Sequence, residues 1–118
     1  LRKLLLILIE ANDPDTFNYI LSHFSDLSEV LNEEDDDNGS MPQYHAVVRN
    51  QGFQFIDKLI EKGADINACS KNFEGNTVLH CAIKAQAIDK VTSILNQKNC
   101  KLDIPNSDGK TALDLVLE

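Results

Sequence analysis

Apolar residues recur three or four positions apart along much of the chain, which is the spacing of amphipathic helices. Between residues 77 and 95 they form two such stripes: Leu79, Ala82 and Ile83 in the first, Val91, Ile94 and Leu95 in the second. A further stripe consists of Phe17, Ile20, Leu21 and Phe24, preceded by Asp13-Pro14, which fits a helix N-cap and first helical position. The pattern predicts a core of packed helices.

The turns between these stripes also repeat. Gly75 and Gly109 lie 34 residues apart, and similar residues follow each of them at matching positions. The matched pairs are Thr77 with Thr111, Leu79 with Leu113, and Ala82 with Val116. A third segment starts at Gly39, 36 residues before Gly75, and contains Met41, Pro42, Ala46 and then Leu59-Ile60, which match Ile94-Leu95. The sequence therefore predicts a stack of similar helical units.

The repeated segments resemble ankyrin repeats, in which G-x-T-P-L-H-x-A, V-x-x-L-L and G-A-D-V-N follow one another with a period of about 33 residues. The segment from Gly75 matches the first two parts, and "KGADINA" at 62–68 matches the third. The resemblance covers roughly residues 37–118 and implies an all-α solenoid of about 3–4 helix-turn-helix units. The expected units are 1–36 (a degenerate repeat with a long acidic loop), 37–70, 71–106, and 107–118 (a truncated start of a further repeat).

The letters Gly-Lys-Thr at 109–111 could instead close a phosphate-binding P-loop. That loop needs a glycine five residues before Gly109, where this chain has Ile104, and Pro105 removes another backbone N–H. The preceding unit has Gly-Asn-Thr at 75–77, without the lysine. We therefore interpret both segments as a turn followed by a threonine that caps the next helix.

The resemblance also assigns structural roles and exposes departures. It implies that His80 is structural, because the Thr and His of the motif hydrogen-bond across neighbouring repeats in the family. Gln43 and Tyr44 stand where the pattern has Leu and His, so the inter-repeat bond of that unit must change or vanish. The connecting loop, or finger, at 68–75 is two residues longer than usual, and 25–40 would be an overlong finger of the first unit.

The overall charge narrows the range of partners. The formal net charge of −8 argues against binding nucleic acid and favours a basic or neutral protein. "LLLILI" at 4–9 is far short of the ~20 residues of a membrane span, so no membrane insertion is expected.

The three cysteines include no CxxC pair and indicate a reducing, intracellular location, cytoplasmic or nuclear. Because it begins without Met and stops inside a predicted helix, we expect the chain to be a piece of a longer one.

No residues nominate a catalytic, cofactor or metal site. His80 and Cys81 are adjacent, so both cannot easily face one ion from a helix, and the acidic run at 32–37 lacks the ligand spacing of an EF-hand. No Cys or Ser is paired by spacing with an oriented base. We expect Cys69 to be exposed and Cys81 and Cys100 to be buried or half-buried. The chain is predicted not to be an enzyme and to need no cofactor.

The resemblance places partner binding at the finger tips and on the exposed side of the inner helices. The candidate residues are Ser70, Lys71, Asn72, Phe73 and Glu74 in the longer finger, and Asn106, Ser107 and Asp108 in the next. Phe73 is either an aromatic anchor for a partner or folds back onto its own stack. The sequence leaves both alternatives open.

The function predicted from the resemblance is that of a non-catalytic protein–protein interaction module. One alternative is an ankyrin segment that packs on the catalytic domain of a larger enzyme. Three short repeats, an irregular first unit and the ending "GKTALDLV" at 109–116 are together similar to the arrays in some Arf GTPase-activating proteins. A spacer in a longer solenoid is a second alternative, and the sequence does not indicate an oligomeric state.

Overall fold

The computed structural model describes residues 1–34, 41–48 and 54–118, and the regular elements in these ranges are helical. They are α1 (Arg2–Glu10), α2 (Pro14–Leu21), α3 (Ser28–Leu31), α4 (Pro42–Val48), α5 (Gln54–Glu61), α6 (Val78–Lys84), α7 (Ile88–Leu95) and α8 (Ala112–Val116). A turn of 3₁₀ helix at Lys71–Phe73 and one bridge between Ser70 and Asn76 complete the longer finger. The predicted all-α fold is confirmed. Gly39, the acidic residues 35–37 and residues 49–53 lie outside the described residues. The last of these ranges is most of "RNQGFQF" at 49–55, where the sequence has one residue more than the family pattern.

The helices pack in pairs that stack along one direction. α1 packs on α2, α4 on α5 and α6 on α7. The first helices of the pairs form an inner row, in which α1 contacts α4, α4 contacts α6 and α6 contacts α8. The second helices form an outer row of α2, α5 and α7, and the molecule measures 40 × 29 × 24 Å. This is the layered arrangement of a helical solenoid.

The apolar stripes predicted from the sequence form the core between the two rows. Phe17 of α2 and Phe55 of α5 are both fully buried and meet edge to face, with ring centroids 5.0 Å apart. Phe24 is an exception, because α2 ends at Leu21 and leaves Phe24 39% exposed. The side chains that follow Leu21 bond back to the carbonyl of Tyr19, which ends the helix there.

Side-chain caps begin the helices at the predicted residues. Asp13 accepts a hydrogen bond from the amide of Thr16 at 3.2 Å and Pro14 occupies the first helical position of α2. Thr77 and Thr111 cap α6 and α8, each as part of a reciprocal capping box. The predicted caps are confirmed.

Two asparagines tie neighbouring units together in the same way. Asn32 accepts a hydrogen bond from the amide of Asp65 at 2.7 Å and donates to the carbonyl of Gly63 at 2.9 Å. Asn67 repeats this with the amide of Lys101 at 2.9 Å and the carbonyl of Asn99 at 2.6 Å. The segment 25–40 is therefore not wholly an irregular finger, since it contains α3 and then a clamp equivalent to the Asn of "GADIN".

Candidate partner-binding surface

The longer finger has a defined backbone that few residues could adopt. Ser70 pairs with Asn76 across the finger, and Glu74 and Gly75 at its tip both have a left-handed backbone, with φ of 62° and 75°. A Cβ on Gly75 would lie 2.8 Å from the backbone nitrogen of Ser107 in the next finger. Glycine is therefore required here both for its φ and for the close approach of the two fingers.

Phe73 packs against its own stack and still lines the surface. Its ring lies 5.2 Å from that of Tyr44 and within 9° of parallel, and the side chain is half-buried. Phe73 therefore folds back onto its own stack, which was one of the two alternatives. The other alternative, an anchor for a partner, remains open because the rest of the stacked ring faces solvent. Binding by this ring stays a prediction.

Tyr44 supports Phe73 and also replaces the histidine of the repeat pattern. Its hydroxyl lies within hydrogen-bonding distance of the carbonyl oxygens of Ala68 and Asn76. In the next unit, Nε2 of His80 bonds to the carbonyl of Lys110 at 2.9 Å, and Lys110 follows Asn76 by the same 34 residues that separate Gly109 from Gly75. The expected inter-repeat bond has therefore changed its donor and not vanished. Burial raises the pKa of Tyr44 above its usual range, so the phenol keeps its proton.

Beside Phe73 lies an open groove of about 430 Å³, which we call the finger groove. Its apolar lining comes from Val48 at the end of α4, Phe73, Cys81 of α6 and Ala85. Asn72, Asn76, Glu74 and Lys84 supply its polar lining. The carboxylate of Glu74 and the ammonium of Lys84 are exposed and 4.0 Å apart, so their mutual attraction is weak. Both groups are therefore accessible to a ligand.

The thiol of Cys81 belongs to the apolar lining in its chemistry as well as in its position. Burial raises its pKa to about 11, so it remains neutral at physiological pH. Cys81 and Cys100 are half-buried and Cys69 is exposed, as predicted. A neutral, polarizable thiol contributes van der Waals contact to a ligand and little reactivity.

The other candidates in the longer finger divide into inner and outer residues. Ser70 is fully buried, and its hydroxyl donates to the carboxylate of Glu34. The same carboxylate accepts a hydrogen bond from the amide of Lys71 at 2.9 Å. Ser70 therefore holds the finger in place, whereas the side chains of Lys71, Asn72 and Glu74 are exposed.

The candidates in the next finger are arranged similarly. Asn106 is half-buried and donates to Oδ1 of Asn76 at 2.8 Å, while its own Oδ1 accepts from the amides of Asp108 and Lys110 at 2.9 and 3.0 Å. Ser107 and Asp108 are exposed at the tip. The structure thus brings the two fingers together through their asparagines and leaves their tips in solvent.

Sequence reasoning did not name the residues of α4 and α6 that complete the groove. Cys81, Lys84 and Ala85 are spaced as one helix face, and Val48 lies opposite them. The signal was available in the expectation that partners contact the inner helices. That expectation did not give the direction of each side chain relative to Phe73, so it could not single out these residues.

Among the described residues, no group of three or more His, Cys, Asp or Glu side chains could hold a metal ion. In the ranges 1–34, 41–48 and 54–118, no helix has the length and apolar character needed to cross a bilayer.

Helix pairs that stack in two rows, with fingers connecting successive pairs, define a helical repeat protein. A sequence model described as ankyrin repeats (3 copies) matches residues 4–106, and the chain belongs to the ankyrin repeat family. It is 27% identical over 118 residues to "ANK repeat-containing protein nipk-1" of Caenorhabditis elegans, covering 86% of this chain and 19% of that protein. It is 36% identical over 79 residues to "Putative palmitoyltransferase ZDHHC13" of Danio rerio, covering 67% of this chain and 12% of that protein. The chain therefore spans only a small part of the length of these relatives, and ankyrin repeats are in general protein-interaction modules.

Proposed function

We propose that the chain is a non-catalytic module that binds another protein through the finger groove and the adjoining finger tips. The observation that carries this proposal is the stacking of Phe73 on buried Tyr44, which fixes the Phe73 ring beside the apolar lining of the finger groove. A preorganised aromatic loses little conformational freedom on binding, so its contacts contribute more to affinity.

We further propose that the partner carries basic residues that face the fingers. The chain as a whole has 19 acidic side chains against 11 basic ones, which gives a formal net charge of −8. Charges of one sign at the rim steer an oppositely charged partner, mainly by raising the association rate. Binding should therefore weaken as salt is raised, since exposed charges are screened.

A matched pair of substitutions tests the groove. Ala85 and Ala11 are both exposed, and they end α6 and α1 with nearly the same backbone angles. Ala85→Arg fills the finger groove, whereas Ala11→Arg places the same side chain on a different unit. Proteins retained from cell extract by the unaltered chain and by Ala11→Arg should be lost from Ala85→Arg. Equal retention by both variants, with unchanged melting, would contradict the proposal.

A second candidate function is a role in packing on a catalytic domain within a larger protein. One relative is named as a palmitoyltransferase and is much longer than this chain, which favours this alternative over a spacer. In that case the finger groove would be covered by the host protein itself. Ala85→Arg in the full-length host would then alter the host's activity or stability, with Ala11→Arg as the control.

The free cysteines bear on location. Cys69 is exposed and Cys81 and Cys100 are half-buried, all three as free thiols. We propose an intracellular, cytoplasmic or nuclear site of action, because exposed thiols persist in reducing compartments. Fractionation of cells that express the full-length protein tests this.

A further inference from the structure

Asn76 is a buried residue of the longer finger, and it lines the finger groove. It is 4% exposed, and its backbone is fully engaged. Its amide donates to the carbonyl of Phe73 at 3.0 Å, and its carbonyl accepts from the amide of Ser70 at 3.1 Å and from the hydroxyl of Tyr44. Tyr44 therefore supports both the ring of Phe73 and the backbone of Asn76, which holds the two residues in a fixed relation beside the groove.

The orientation of the Asn76 side chain follows from that of Asn106 in the next finger. Oδ1 of Asn106 accepts from the backbone amides of Asp108 and Lys110 at 2.9 and 3.0 Å, a role that only the oxygen of the carboxamide can fill. Nδ2 of Asn106 is therefore the atom that donates to Asn76, whose Oδ1 accepts at 2.8 Å. The terminal atom of Asn76 that remains is Nδ2, a hydrogen-bond donor.

This donor is not used within the part of the chain that the structure describes. Nδ2 of Asn76 donates to no atom of the described residues. It is also not among the polar side-chain atoms there that are sealed from solvent without a partner, so it keeps access to the groove. A donor that is mostly buried is poorly solvated, and it gains when a ligand brings an acceptor to it.

We propose that the finger groove recognises an extended segment of a partner protein through a main-chain carbonyl next to an aliphatic side chain. The inference rests on the proposed function and names what the groove binds. The carbonyl accepts from Nδ2 of Asn76, and the side chain packs on Phe73 and the apolar lining. Main-chain carbonyls of an extended segment are available because no helix hydrogen bonds engage them. A neutral carbonyl fits better than a carboxylate, since a charge would have to leave water for the apolar lining.

Asn106→Asp tests this inference without changing any residue that lines the groove. A carboxylate at position 106 still accepts from the amides of Asp108 and Lys110, but it cannot donate to Asn76. The Asn76 carboxamide then turns over, so that Nδ2 donates to position 106 and Oδ1 faces the groove, where it repels a carbonyl. Asn99→Asp makes the same chemical change at an exposed residue in the loop after α7, and it is the matched control.

The probe is the uncharged tripeptide N-acetyl-Ala-Leu-Ala-amide, followed in NMR spectra of the isotope-labelled chain. It should shift the signals of the Asn76 side-chain amide and of Phe73. Its dissociation constant should rise about five-fold or more with Asn106→Asp, the effect of losing one hydrogen bond, and stay unchanged with Asn99→Asp. Asn76→Asp, which removes the donor itself, should weaken binding as well. The contrast should persist in about 1 M salt, where the Debye length is about 3 Å.

Three results would overturn the inference. They are equal binding by the unaltered chain and by Asn106→Asp, a contrast that disappears in the high salt, and shifts of Asn76 that acetate reproduces at the same concentration. An absence of any response of Phe73, Asn76 and Ala85 to the tripeptide would also count against it. The proposed function fails on a different result, equal retention of proteins by Ala85→Arg and Ala11→Arg, so the two failures are distinguishable.

Discussion

Gln43 is a buried amide in a place where the repeat has leucine, and its replacement should stabilise the protein. The side chain is fully buried in the first turn of α4. Its Nε2 lies 3.5 Å from both Oδ1 of Asn32 and the carbonyl of Asp65, at the limit for a hydrogen bond. Its Oε1 has no hydrogen-bond partner among the described residues. The amide is therefore poorly compensated for the water it has lost.

The magnitude of the effect follows from two opposing terms. A buried polar atom without a partner costs about 1–3 kcal/mol, and Gln43→Leu removes it. Against this stand the weak contacts of Nε2 and an imperfect fit of the new side chain, about 1 kcal/mol together. Leu79, at the equivalent position one unit later, is 2% exposed, so the site has room for leucine. Taking the middle of the first range, about 2 kcal/mol, and subtracting the opposing 1 kcal/mol, we expect a net gain of about 1 kcal/mol in the free energy of unfolding.

Urea unfolding followed by circular dichroism measures this directly. With a slope of about 1–3 kcal/mol per molar urea, a gain of about 1 kcal/mol should raise the midpoint by about 0.3–1 M with Gln43→Leu. Gln43→Glu is the opposing control, because it buries a charge in the same volume and should lower the midpoint. A lower midpoint for Gln43→Leu would refute the reasoning, since it would mean that the amide is well bonded in solution.

Three further expectations concern the buried Tyr44 hydroxyl, the cysteine thiols and the left-handed backbone of Gln86. Tyr44→Phe should lower the free energy of unfolding by about 1–3 kcal/mol, measured by urea unfolding, because it removes the hydroxyl that bonds to the carbonyls of Ala68 and Asn76. Tyr19→Phe, on a side chain 67% exposed, should change it little. Iodoacetamide at pH 8 should label exposed Cys69 before Cys81, whose pKa of about 11 keeps its thiol protonated, and mass spectrometry of timed samples would show the order. Gln86→Gly should raise the melting temperature, because a φ of 56° costs a non-glycine residue about 1 kcal/mol; an unchanged or lower value would count against that strain.

Local and repeated features were predictable from the sequence. Thr77 and Thr111 could be assigned as caps because a cap depends on residues within one turn of helix. The role of His80 came with the resemblance to the family, and its bond to Lys110 follows the repeat. The sequence period predicted these features because the same residues make the same local contacts in successive units.

Contacts between units at irregular positions could not be predicted. The burial of Ser70 depends on Glu34, which lies 36 residues earlier in the chain. The place of Phe73 depends on Tyr44, whose ring direction no local pattern sets. The end of α2 at Leu21, which exposes Phe24, follows from side chains that bond to the Tyr19 carbonyl instead of continuing the helix. In each case the deciding partner or backbone direction is absent from the repeat pattern.

Two departures from the repeat pattern, Tyr44 in place of histidine and the longer finger at 68–75, are physically connected. A histidine at position 44 would satisfy the carbonyl of the next unit, as His80 does, but would offer Phe73 a smaller ring. Tyrosine reaches the equivalent carbonyl and also presents a flat face on which Phe73 stacks. The longer finger supplies Phe73, and the substitution supplies its support. Regular positions such as Thr77 maintain the stack. The proposed function therefore assigns selectivity for a partner to the irregular positions, at Phe73 and the finger groove beside it.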